Sequence, residues 1–174
     1  TAESKKIALS DSGITVDGAA ISDDETAAVY AAQDIVYYEE GQGVAYGAGT
    51  DADAHSQEEA DAHIVVHITQ PGTYTLSGTL SAGQIAVDLG DGAEEDPEAV
   101  VTIVLDGVDI TCTVAPAIIF YRVYECGSAD METATQTVDT SAAGANVVIA
   151  DGTENRVTGS YVSKIYKPES VTLN

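Results

Sequence analysis

The feature that most constrains this chain is its punctuation. From Ile64 onward, short β-branched and aromatic runs follow one another, most of them stopped by a glycine step. Ile64–Ile68 is followed by Gln70-Pro71-Gly72, Tyr74–Leu76 by Ser77-Gly78, and Ile85–Leu89 by the acidic stretch Gly90–Glu98. Val101–Leu105 meets Asp106-Gly107 with Ile110-Thr111 beyond, and Val147–Ile149 meets Asp151-Gly152 before Val157-Thr158. β-Branched side chains suit a pleated surface, glycine tolerates the positive φ of a tight turn, and Asp can bond its own backbone there. Short strands at intervals of roughly ten to twenty residues, with no long helix between them, fit a sandwich or a stacked solenoid. Val100–Leu105 is nearly continuous rather than alternating, as strands buried on both faces are, which leans toward the solenoid.

The first 62 residues are less regular. Ile7–Leu9 and Ile14–Val16 read as strands, bounded by Asp11-Ser12-Gly13 and Asp17-Gly18. Ser22-Asp23-Asp24-Glu25 matches a helix capping box, but Val29-Tyr30 and Ile35–Tyr38 favour two strands. Gly41–Asp61 is a loop crowded with acids, with room for a short helix at Ser56–Ala62. It is either a solvated face or a cation-binding loop. The expected organisation is 1–62 as N-terminal strands and acidic loop capping the solenoid, and 63–174 as its rungs. Ser163–Pro168 and Val171–Asn174 still look strand-like without a cap, so rungs are expected to continue in a longer chain or to meet another copy.

Charge excludes one class of partner. Acidic residues outnumber basic ones 29 to 6, a net charge of −23, which repels phosphate backbones and anionic membrane surfaces. No run approaches the ~18 apolar residues of a membrane span. Hydrophobic residues nevertheless make up 44% of the 174, enough for a core. The Lys-poor, Tyr-rich composition suits an extracellular protein.

Carboxylate density points to calcium, which takes about six to eight hard oxygen donors. The candidates are Asp88, Asp91, Glu95 and Asp96 around one loop and Asp106 with Asp109 on a neighbouring turn; solvated turn residues are the competing reading. His63 and His67 have helical zinc spacing, but on a strand they lie roughly 13 Å apart, too far for one ion. Cys112 and Cys126 are either two free thiols or, as favoured in a secreted chain, a disulfide. Tyr37, Tyr38, Tyr121 and Tyr124 could stack on sugar rings, although Tyr121 and Tyr124 could equally pack beside the cysteines. No nucleophile elbow, phosphate loop or Cys-His arrangement occurs, and no carboxylate pair stands out among 29 acids.

Gln70–Leu80, Gly83–Asp88, Val104–Thr111 and Ile149–Asn155 share a cadence that resembles a family of secreted bacterial carbohydrate-binding proteins. That family is built as a right-handed parallel β-helix, similar to the polysaccharide lyases. The resemblance implies a cell-surface or extracellular protein that binds plant-type polysaccharide with bound calcium. The expectation is therefore an all-β right-handed parallel β-helix with acidic loop insertions, a β-sandwich being the alternative. Its expected role is non-catalytic, calcium-stabilised polysaccharide binding. The other readings are a structural or filament subunit that self-associates through its C-terminal end, and a lyase, for which Arg122 and Arg156 are the only arginines.

Overall fold

The computed structural model describes residues 3–36, 55–126 and 140–160. Its strands are β1 (Glu3–Leu9), β2 (Thr15–Val16), β3 (Ala19–Ala20), β4 (Val29–Ala32), β5 (Ile64–Ile68) and β6 (Gly72–Leu80). Then come β7 (Gly83–Asp88), β8 (Val101–Thr111), β9 (Ile118–Arg122), β10 (Ala145–Ile149) and β11 (Arg156–Thr158). One sheet runs β10-β8-β6-β1-β2-β3, with β11 also on β8, and the second runs β4-β5-β7-β9. From β5 to β10, consecutive strands alternate between the sheets, and pairing within β1-β6-β8-β10 and within β5-β7-β9 is parallel. Among the described residues, antiparallel strands occur only at one end of each sheet, as β2 and β3 beyond β1 and as β4 beside β5. The fold is thus all-β, with two mixed sheets and almost no helix. Among the described residues the strands close no complete solenoid, and the two sheets are compatible with a sandwich.

The side-chain pattern explains which face each strand buries. β6 alternates: Tyr74 and Leu76 are fully buried while Thr73 and Thr75 face out. β8 does the same, with Val101, Ile103 and Leu105 inside and Thr102 and Val104 outside. Each such buried aliphatic contributes about 1.5–3 kcal/mol. Burial on both faces, expected for Val100–Leu105, belongs instead to the second sheet, where Val65, Val66, Ile85, Ala86 and Val87 are all buried. The cause is Gln84, fully buried on the outer side. Its amide donates to Val36 O (2.5 Å) and Pro116 O (2.9 Å), and its oxygen accepts from Val36 N (2.9 Å). The chain after β4 therefore covers part of that face.

Several local expectations change. Asp106-Gly107 and Ser77-Gly78 do not end strands; β8 and β6 continue through them with a register shift between Leu76 and Gly78. Gly78 has φ 92° and Gly107 φ 80°, so the same glycine that suits a turn here makes a bulge. Asn155 Oδ1 accepts from the N–H groups of both Gly107 and Val108 at 2.9 Å, satisfying the disturbed ladder. Ser22–Glu25 forms no helix, because Ser22 Oγ accepts from Asp24 N and Asp24 Oδ1 from Thr26 N, local bonds that compete with one. Val29-Tyr30 is a strand as expected, but Ile35-Val36 is not, since Val36 spends its N–H and C=O on Gln84. The short helix is present as α1 (Gln57–Asp61), capped by Ser56 Oγ on Glu59 N. Cys112 and Cys126 are free thiols, Cys112 buried and Cys126 half-buried, so the expected disulfide is corrected. Strands expected in 163–174 lie outside the described residues.

Candidate functional site

The outer side of the second sheet gathers the polar groups that its apolar strands would not otherwise carry. Register places Tyr30 beside His67, His67 beside Ala86 and Ala86 beside Ile119. Tyr30 and His67 stack with ring centres 4.5 Å apart and planes 7° from parallel. His67 is only 5% exposed, and its Nε2–H donates to Asp34 Oδ1 at 2.7 Å, fixing the ring as the floor under Tyr30. At the far strand, Asp88 pairs in register with Arg122, while Val87 pairs with Phe120. Tyr121 is therefore the extra residue of a bulge, which re-aims its side chain and leaves it 38% exposed.

Arg122 organises this end. Its Nε donates to Asp88 Oδ1 (2.6 Å), its Nη2 to Asp88 Oδ2 (2.8 Å), and its Nη1 to Asp91 Oδ1. The guanidinium carbon lies 5.7 Å from the centre of the Tyr121 ring. Burial works to raise the Asp88 carboxyl, but the hydrogen bonds from Arg122 and Gly90 and the charges of Arg122 and His67 hold it below its ordinary value. Arg122 is pushed the other way, chiefly by its hydrogen bonds to Asp88, so it stays cationic. Burial raises the Tyr30 phenol, and the charges of Asp34, Glu25 and Asp88 add to it. Four strands across, the patch is about 14 Å wide at ordinary strand spacing. Aromatic faces flanked by a guanidinium and carboxylates can stack on an apolar ring face and bond hydroxyl groups around it.

The structure brings together Asp88 and Asp91, but as acceptors for Arg122 rather than as open ligands. Glu95 ends a 3-10 turn and is exposed, and Asp96 Oδ1 accepts from Glu98 N at 2.9 Å. Asp106 is exposed, and Asp109 stands 3.8 Å from Arg156. Among the described residues no group of three or more His, Cys, Asp or Glu side chains is placed to hold a metal ion. His63 is engaged elsewhere: its Nδ1–H donates to Glu59 O at 2.8 Å and its Nε2 accepts from Thr113 N at 3.2 Å. Tyr124 is half-buried, its backbone tied to Ala99 and Gly144. Tyr37 and Tyr38 lie outside the described residues. Sequence reasoning missed Tyr30, Asp34 and His67 as parts of one patch, although His67 interrupting Val65-Val66 and Ile68 is a signal for a specific polar partner.

Arg122 is clamped by two carboxylates, and the largely exposed Arg156 stands 3.8 Å from Asp109. No described helix is long and apolar enough to cross a membrane. No solved structure matches the chain. A protein of Acetivibrio thermocellus described as a carbohydrate-binding domain-containing protein is 56% identical over 48 residues, covering 28% of this chain and 15% of that relative's length. The sequence profile of a family described as carbohydrate-binding domain-containing proteins matches residues 62–167, from the end of α1 past β11, and the chain belongs to that family.

Proposed function

We propose that this chain is a non-catalytic module that binds polysaccharide outside the cell, with the Tyr30–His67 and Arg122–Tyr121 patch as its contact site. The observation that carries the reading is family membership across the very strands that build the far end of that patch. Tyrosine rings supply stacking surface, while Arg122, Asp88 and Asp91 supply a fixed polar fork. The scaffold reading is a parallel β-helix, supported by the alternation of strands between the sheets from β5 to β10 and by parallel pairing within β1-β6-β8-β10. An extracellular location is supported by the acidic, Lys-poor composition.

Affinity gel electrophoresis with soluble plant polysaccharides tests the function. Retardation of the wild-type chain, reduced about tenfold in affinity by Tyr121→Ala, is expected, since aromatic anchors dominate such contacts. Repeating the assay in EDTA tests the calcium dependence that the carboxylate density leads one to expect. A chain retarded by no polysaccharide, with or without calcium, would sink the proposal.

A further inference from the structure

Among the described residues Arg122 is the only lysine or arginine on the second sheet, since Lys5 and Lys6 stand on β1 and Arg156 on β11 of the first. The five N–H donors of a guanidinium form a planar fork suited to carboxylates. Asp88 fills one edge of that fork through Nε and Nη2, and it is itself fixed, paired with Arg122 in strand register and accepting from Gly90 N at 3.0 Å. The remaining contact runs from Nη1 to Asp91 Oδ1. Asp91 lies on the turn that follows β7, between Gly90 and Gly92, both at positive φ (87° and 81°). Its side chain is 100% exposed, against 28% for Asp88 and 30% for Arg122. So exposed an ion pair adds little to stability, and Asp91 is not needed to hold the strands together. It stands instead where the carboxylate of a ligand would meet the guanidinium.

We infer that Asp91 sets the specificity of the glycan patch: by occupying the open edge of Arg122 it holds the site to uncharged glycans and turns away those that carry carboxylates. The inference rests on the polysaccharide-binding reading and refines the ligand class of that same site. A uronate carboxylate has to displace Asp91 from Nη1 or approach with no cation left to it. Either way it comes up against Asp91 and Asp88, and Asp34, with its side chain 60% exposed, adds a third carboxylate at the Tyr30 end. Like charges brought together across a contact are strongly unfavourable, and a repulsive element of this kind separates related ligands. A neutral sugar meets the opposite chemistry. Its hydroxyls donate to the carboxylate lone pairs that Arg122 leaves open. Its ring face lies against Tyr121, whose ring centre is 5.7 Å from the guanidinium carbon.

Affinity gel electrophoresis of the whole chain tests the assignment, with polygalacturonate compared against uncharged hydroxyethyl cellulose, arabinoxylan and galactomannan. EDTA in the gel removes calcium as a bridge between carboxylates. The wild type is expected to bind an uncharged glycan about tenfold or more tightly than polygalacturonate. Asp91→Ala, which opens Nη1, should raise the ratio of polygalacturonate to uncharged-glycan affinity about tenfold. Asp91→Asn, with the charge gone and the shape kept, should move the ratio the same way, whereas Asp91→Glu should keep the wild-type preference. Asp151→Ala removes an exposed acid from the turn between β10 and β11 and should leave the ratio as it is. Circular dichroism confirms that each variant folds. A wild type that binds polygalacturonate as tightly as any uncharged glycan overturns the selectivity and leaves polysaccharide binding standing. A ratio unmoved by Asp91→Ala and Asp91→Asn reduces Asp91 to a surface ion pair and overturns the proposal. So does an equal shift in Asp151→Ala, which assigns the effect to overall charge. Retardation by no glycan removes both readings.

Discussion

Gly107 lies in the β8 bulge opposite Ser77, and Gly78 follows on β6 as the partner of Val108; their φ values are nearly the same, 80° and 92°, yet their surroundings differ. A Cβ on Gly107 would meet nothing within 4 Å. A Cβ on Gly78 would press into the carbonyl oxygen of Leu9, with Leu9 C at 3.2 Å and Leu9 N at 3.3 Å. Leu9 is the register partner of Gly78 in the parallel β1–β6 pair, so the clash cannot be relieved by a side-chain rotation. Gly107→Ala should therefore cost only the left-handed conformation, about 1–2 kcal/mol. Gly78→Ala carries that cost plus the forced separation of two paired strands, about 1–3 kcal/mol more by analogy with overpacking. Urea unfolding followed by circular dichroism measures both, and in a chain of this size the difference should appear as a gap of about 2–12 °C in melting temperature. Equal losses for the two variants would refute the close parallel approach of β1 and β6.

Gln84→Leu should destabilise by about 2–3 kcal/mol in the same assay, because it strands the Val36 N–H and two carbonyls in a buried site. Asp88 is held below its ordinary carboxyl value in the fold, so its contribution is complete above the unfolded value near pH 4 and fades as pH falls through the folded value. Stability measured from pH 7 down to pH 2 should show that acid loss, and Arg122→Gln should reduce it. With the disulfide corrected, two thiols should titrate in denatured protein without reductant. In the native chain Cys112, whose thiol burial raises, should react far more slowly than Cys126.

The strands were legible because β-branched runs such as Ile64–Ile68 and Val101–Leu105 leave little choice of local structure. Their ends were less so. Asp106-Gly107 reads as a turn because glycine at positive φ serves a turn and a bulge alike, and only the neighbouring strand decides which. The candidate site was harder, since its chemistry joins residues far apart in the chain. Asp88 and Asp91 both accept from Arg122, over thirty residues away, a shared partner that spacing does not reveal. Tyr121 was named as a sugar contact, but its exposure comes from a bulge that spacing alone does not reveal. Cys112 is buried and Cys126 half-exposed, a difference in depth that sequence separation cannot register.

The central claim is that the second sheet's outer patch contacts the glycan. Nuclear magnetic resonance titration of the labelled chain with a soluble oligosaccharide that it binds tests this most directly. The largest shifts are expected on Tyr30, Asp88, Tyr121 and Arg122 and on their strands β4, β7 and β9. Saturable binding whose shifts leave these residues untouched would contradict it.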